Sequence, residues 1–432
     1  MTARRRHAFH HLATRYPVIK NIGVLLSGTV IAQLIAVGTQ PIITRLYSDQ
    51  DLGLFSLWLV IPQTVVLVAA FRYDMAVVLP PCEADARRLL RISALFILLT
   101  ATTTSVVCFL SAERLAALMG EPELAPWLGF TGVFVLGLGF VNLMTHWFTR
   151  VEAFRSIAAN RIQMFSSISG VKILAAWTGR GGQLGLVGGQ LIGQLLAAIT
   201  MAIKAWRPLC QPSGSSTPVR VLLHRYRKMP LLNAPNAIID GLRLNGIVLC
   251  LGLTYSTEAV GQFSQAWLLM QAPVTLIAGA ISQVFYQKFA AARRGYLRQQ
   301  VIASLKVSAA GGLGPFVVLG IVSPVLFPWF LGPGWELAGL LGQSLVLWLY
   351  LNVATAPIST IFVVTNRQEL MLGFALLYMV TPLALILTLG KTMTINALMW
   401  VLSCCMALLL LGLVALTLRV AASYDRGATT MG

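Results

Sequence analysis

Charge is scarce in this chain. Of its 432 residues only 11% are Asp, Glu, Lys or Arg, where a soluble protein has about a quarter. Acids are the scarcest, 14 against 32 Lys and Arg. So little charge excludes a water-soluble globular protein. Cysteine is sparse as well: Cys82, Cys108, Cys210, Cys250, Cys404 and Cys405 show no CxxC spacing and mostly lie in apolar runs. They read as small core residues, not as disulfides or metal ligands. Gly-rich phosphate loops, nucleophile elbows and metal motifs are missing, so neither a cofactor nor a metal is expected. His7, His10 and His11 stand at i, i+3 and i+4, in a terminus that reads as a solvated basic arm.

What is abundant is apolar, 57% of the chain. Hydropathy windows place segments at 21–44, 52–71, 89–110, 125–147, 159–178, 184–203, 231–253, 259–281, 301–322, 337–363, 370–389 and 395–418, which predicts twelve transmembrane helices. Twelve spans of about 20 residues use roughly 240 residues. The remainder excludes a large extramembrane catalytic domain, and no enzymatic activity is expected. Arg4, Arg5, Arg6, Arg15 and Lys20 precede the first span, which lacks a small-x-small exit and reads as an uncleaved anchor. With the N-terminus inside, 26 Lys and Arg fall in cytoplasmic segments and only Arg45, Arg114, Arg180 and Lys391 in outer loops. That bias predicts cytoplasmic N- and C-termini. It also explains the net charge of +18 as a topology signal, so no nucleic-acid partner is expected. The outer loops are short, which argues against membrane glycosyltransferases, ligases and polymerases.

The longest loop, near 204–230, is cytoplasmic, rich in Pro, Ser and Gly and then basic, and it lies midway. Tyr47-Ser48-Asp49-Gln50-Asp51-Leu52-Gly53-Leu54-Phe55-Ser56 aligns without a gap on Tyr255-Ser256-Thr257-Glu258-Ala259-Val260-Gly261-Gln262-Phe263-Ser264. Glu123-Leu124-Ala125 matches Glu336-Leu337-Ala338, and Asn160-Arg161 matches Asn366-Arg367, in the same order. An internal repeat follows: a six-helix bundle at 1–204, a linker at 205–230 and a second six-helix bundle at 231–432. Six spans is an even number, so the two bundles share an orientation and are related by an axis along the membrane normal, an arrangement suited to a central cavity.

The stretch Leu25 to Pro80, with Gly28-Thr29, Arg45-Leu46-Tyr47, Gly53-Leu54-Phe55 and Arg72-Tyr73-Asp74-Met75-Ala76-Val77-Val78-Leu79-Pro80, resembles bacterial polysaccharide transporters of the oligosaccharide flippase family. That family's superfamily also holds multidrug extruders and lipid II flippases. Tyr226-Arg227-Lys228-Met229-Pro230, Ala280-Ile281-Ser282-Gln283-Val284-Phe285-Tyr286 and Gly334-Trp335-Glu336 resemble its later blocks. The resemblance implies twelve helices, residence in the bacterial inner membrane, and a polyprenyl-diphosphate-linked oligosaccharide as cargo. Membrane lipids, a polysaccharide polymerase and chain-length proteins are the partners expected on this reading.

Four residues of span seven form the clearest candidate site. Asn233, Asn236, Asp240 and Arg243 are spaced 3, 4 and 3 apart and fall within about 80° on one helical face. A lipid-facing guanidinium at mid-depth costs at least about 2.5 kcal/mol. Arg243 therefore either pairs locally with Asp240 at i, i+3 or offers its fork to a diphosphate. Lys172 is the other mid-span cation, with Ser169 and Arg161 on its face. It serves either a phosphate or sugar acid, or an interhelical tether. Thr29, Gln33 and Gln40 share a face of span one and either read sugar hydroxyls or knit helices together. Arg72 and Asp74 close span two at the cytoplasmic surface, where Arg72 either receives the diphosphate or anchors the span. Pro41, Pro62, Pro273 and Pro357 interrupt spans and can bend.

Flipping of the lipid-linked sugar is thus the expected activity. The alternative is a cation-coupled multidrug extruder, whose cavity calls for unpaired carboxylates, whereas Asp240 is the only mid-span acid.

Overall fold

The computed structural model describes residues 27–210, 217–290, 295–365 and 367–429, and within them each of the twelve apolar segments lies mainly on a helix. In hydrocarbon the backbone has no outside hydrogen-bond partner, so an apolar chain satisfies itself as helix. No strand occurs among the described residues. The long helices are α1 (Ser27–Leu46), α2 (Asp49–Val66), α3 (Glu83–Leu110), α4 (Thr131–Arg150), α5 (Phe154–Trp177), α6 (Gly182–Lys204), α7 (Met229–Thr254), α8 (Thr257–Ala290), α9 (Leu297–Leu331), α10 (Glu336–Thr355), α11 (Gln368–Leu389) and α12 (Ile395–Thr429). Among the described residues nine are long and apolar enough to cross a membrane. The more polar three are α2, α5 and α8; α5 carries Arg155, Arg161 and Lys172. The N-terminal arm with its histidines, linker residues 211–216 and Asn366 of the third repeat marker lie outside the described residues.

Packing sorts the described residues into two units. The first takes those up to Leu46 together with Ile61–Ile238, the second Tyr47–Val60 together with those from Ile239 onward. In the first unit α4 packs between α3 and α6, and α6 lies on α5, over a core that includes Leu89, Leu90, Leu143, Met144 and Trp147. In the second, α10 packs on α8, α9 and α12 and buries Leu345, Trp348 and Leu349.

The segment Tyr47–Val60 precedes the linker yet packs in the second unit, and the repeat explains how. A Cβ on Gly53 would strike the carbonyl oxygen of Thr257, and one on Gly261 would strike that of Asp49. Gly53 aligns with Gly261 in the repeat, and Asp49 with Thr257. Each copy therefore seats its glycine on the first-turn carbonyl of the other, a reciprocal close crossing of α2 and α8 that only the smallest residue permits. Beside it, buried Gln262 donates from Nε2 to Asp49 Oδ2 at 3.1 Å and accepts from the backbone N–H of Ala338 at 3.0 Å. That amide ties the crossing to the first turn of α10.

Candidate functional site

Arg243 lies near the middle of α7 and is half-buried. Its guanidinium carbon stands 5.1 Å from the ring centroid of Tyr378 on α11. No ion pair joins it to Asp240: among the described residues the pairs are Arg87–Glu83, His146–Asp74 and Arg367–Glu369. The local i, i+3 pairing is therefore not made. Asp240 and Asn236 are exposed, and Asn233 is half-buried, its Nδ2 3.0 Å from Met229 Sδ within the π-turn Met229–Asn233 that opens α7. The division between the packing units falls inside this stripe, with Asn233 and Asn236 in the first and Asp240 and Arg243 in the second.

Tyr378 is itself held from several helices of the second unit. Its hydroxyl accepts from the indole N–H of Trp348 and, at 3.4 Å, from Asn352 Nδ2, both on α10. Phe374 stacks on it with centroids 5.4 Å apart, and Trp348 meets it edge-on at 6.4 Å. A cation over an aromatic face is stabilised by the ring quadrupole. The Arg243 guanidinium donors make no hydrogen bond among the described residues and so remain available.

Lys172 on α5 is arranged differently. It is buried, with Nζ 3.4 Å from Gln190 Oε1 on α6. Its stem fills the space left by Gly189, where a Cβ would come within 2.5 Å of Lys172 Cγ and 3.0 Å of its backbone nitrogen. The rest of this polar face also knits α5 to its neighbours. Ser169 and Thr39 share a hydrogen bond of 2.9 Å, Arg161 Nη1 donates to Thr29 Oγ1 at 2.6 Å, and Asn160 Nδ2 donates to the Ala197 carbonyl at 2.8 Å. Thr29 is thus the partner of Arg161, whereas Gln33, half-buried on the same helix, makes no hydrogen bond among the described residues.

Arg72 follows the end of α2 in a left-handed conformation at φ 61°, preceded by Phe71 at φ 48°. Its Nη1 lies 3.9 Å from Met75 Sδ. Asp74 is buried within the protein, 3.5 Å from His146 Nε2 on α4. Phe71 and Arg72 turn the chain immediately before Tyr73 and Asp74. Arg150, one turn beyond His146, donates to the carbonyl of Val78 at 2.9 Å and holds the turn in place.

Sequence reasoning advanced neither Tyr378, His146 nor Gln262. Arg161 was visible on the Lys172 face without its Thr29 partner. A tyrosine within the apolar run 370–389 was the one available signal for Tyr378, since its aromatic partners lie on other helices. Among the described residues no group of three His, Cys, Asp or Glu could hold a metal ion.

Comparison with known proteins adds a family and a fold. A family model described as polysaccharide biosynthesis protein matches residues 42–338. No curated protein matches the sequence. Among solved structures, the lipid II flippase MurJ superposes with a TM-score of 0.76 at 11% identity, covering 94% of this chain and 91% of that one. A multidrug resistance MATE family transporter of the MOP superfamily gives a TM-score of 0.70 at 13% identity, covering 91% and 96%. A MOP superfamily transporter from Pyrococcus furiosus gives 0.63 at 14% identity, covering 93% and 94%. At these identities the likeness is one of fold.

Proposed function

The chain belongs to the family of polysaccharide biosynthesis proteins and has the fold of MOP superfamily transporters, and from that premise we propose that it is a flippase. Its cargo is an oligosaccharide repeat unit on a polyprenyl diphosphate, moved from the cytoplasmic to the outer leaflet of the bacterial inner membrane by alternating access. The product feeds O-antigen, capsule or exopolysaccharide assembly, and no covalent bond is made or broken. The basic bias of the loops supports an orientation with both termini in the cytoplasm.

The observation that carries this reading is Arg243. A guanidinium at mid-depth is costly, and this one has an aromatic seat but no carboxylate within ion-pair distance. Its in-plane N–H fork matches two oxygens of a phosphate. The head group, with its many hydroxyls and two phosphates, cannot cross about 30 Å of hydrocarbon unaided. Arg243 supplies counter-charge to the diphosphate, while the Asn233, Asn236 and Gln33 amides suit sugar hydroxyls and the lipid tail stays in the bilayer. Arg72 receives the diphosphate as it arrives from the cytoplasmic leaflet.

One observation favours a cation extruder: Asp240 is exposed and has no ion pair among the described residues. Arg243, three residues on, repels an organic cation and argues the other way. Purified protein in liposomes decides between them. Outward movement of a fluorescent polyprenyl-diphosphate sugar is the expected result, and efflux of a dye cation without sugar-lipid movement would overturn the flippase reading.

A further inference from the structure

The ring beneath Arg243 is more firmly held than the arginine itself. Tyr378 is 7% exposed. Its hydroxyl is bound by two side chains of α10, one ring face is stacked by Phe374, and its edge is met by Trp348. Trp348 is fixed in turn: its backbone N–H donates to Ser403 Oγ on α12 at 3.1 Å, and its ring lies 5.3 Å from that of Trp267 on α8. Four helices of one packing unit thus set the position and tilt of a single aromatic plane. By contrast, Arg243 makes no hydrogen bond or ion pair among the described residues, and its recorded partner is that plane.

We propose that Tyr378 is the positioning residue of the anion site, holding the Arg243 guanidinium over its ring so that the N–H fork is presented to the diphosphate. This rests on the reading of Arg243 as the diphosphate ligand. A long flexible arginine free in a hydrated space would lose side-chain entropy on binding, whereas a guanidinium already held over a ring has lost much of it before the anion arrives. Contact with the ring also limits the approach. The guanidinium fork donates to two oxygens of one phosphate side by side, which a lysine on the same ring cannot do. The tyrosine hydroxyl serves the arrangement by giving the Trp348 and Asn352 donors an acceptor in the apolar interior. Phenylalanine would keep the platform but loosen it and leave those donors unsatisfied.

The test is binding of polyprenyl diphosphate without sugar to the purified full chain in nanodiscs, with the uncharged polyprenol as control. Tyr378→Leu is expected to weaken diphosphate binding about tenfold, in line with a desolvated cation–aromatic contact, and Tyr378→Phe by about two- to threefold through the lost hydroxyl bonds. In an Arg243→Ala background Tyr378→Leu is expected to cause no further loss, and polyprenol binding is expected to be unchanged throughout. A merely structural role would instead weaken diphosphate and polyprenol together, or weaken binding equally in both backgrounds, and either result overturns the proposal. If Arg243→Ala weakens binding while Tyr378→Leu and Tyr378→Phe do not, the positioning role fails and the Arg243 site stands. Unchanged binding in Arg243→Ala would sink the diphosphate site itself and, with it, any role for its platform.

Discussion

Lys172 and Arg243 are the two cations that the sequence places at mid-span, and the protein accommodates them in opposite ways. Lys172 is buried in a groove between α5 and α6, its stem against Gly189 and its ammonium near Gln190. Arg243 is half-buried on an aromatic face, with no carboxylate within reach and its in-plane N–H groups unused among the described residues. A cation enclosed by its own protein suits a tether. One left with open donors in a costly place is poised for something that comes and goes. The two proposed roles, a tether at Lys172 and an anion ligand at Arg243, rest on this difference.

The largest expected effect follows at once. Arg243→Ala should abolish nearly all export at normal membrane abundance, and Arg243→Lys should lose about tenfold because a point charge cannot reproduce the fork. Complementation of polysaccharide export, normalised to membrane protein level, checks both. Normal export by Arg243→Ala would erase the contrast with Lys172.

Much of this contrast was invisible to local rules. All twelve spans were legible because hydrocarbon transfer is nearly additive along the chain, although α9 runs to Leu331 and passes Pro315, Pro324 and Pro328. The match of Gly53 with Gly261 was legible in one ten-residue alignment, but that the two copies pack on each other was not. The i, i+3 rule nominated Asp240 as the Arg243 partner, and it failed because a ring on α11, far away in sequence, holds the guanidinium instead. The contact of Asp74 with His146 was not legible, because nothing in Phe71-Arg72 announces two consecutive left-handed residues.

A second prediction targets the lysine groove. Gly189→Leu would drive its side chain into the Lys172 stem and backbone, and overpacking of this kind costs about 1–3 kcal/mol. Membrane abundance should fall while export per molecule holds. Adding Lys172→Ala should recover part of the abundance by vacating the groove, and no recovery would show that the two residues do not share the space. Lys172→Met is expected to do less still. Replacing a buried ion by an apolar side chain of similar length is often neutral, so export should stay within about twofold of the parent. A severe export defect at normal abundance would make Lys172 a cargo ligand like Arg243.

The smallest effect belongs to Asp240, and its sign is the informative part. Were Asp240 paired with Arg243, Asp240→Asn would leave a lone cation in the span, and the double change with Arg243→Gln would be the milder of the two. Exposed and unpaired, Asp240 instead repels any anion bound one turn away at Arg243. Asp240→Asn should therefore tighten polyprenyl diphosphate binding slightly, by no more than about threefold, and the gain should shrink as salt is raised, since the screening length is about 8 Å at 0.15 M ionic strength. The double change should bind no better than Arg243→Gln alone, because the benefit of removing the carboxylate exists only while the guanidinium holds the anion. Binding isotherms at two salt concentrations read all of this. Weaker binding by Asp240→Asn, restored in the double variant, would return the two residues to a structural ion pair.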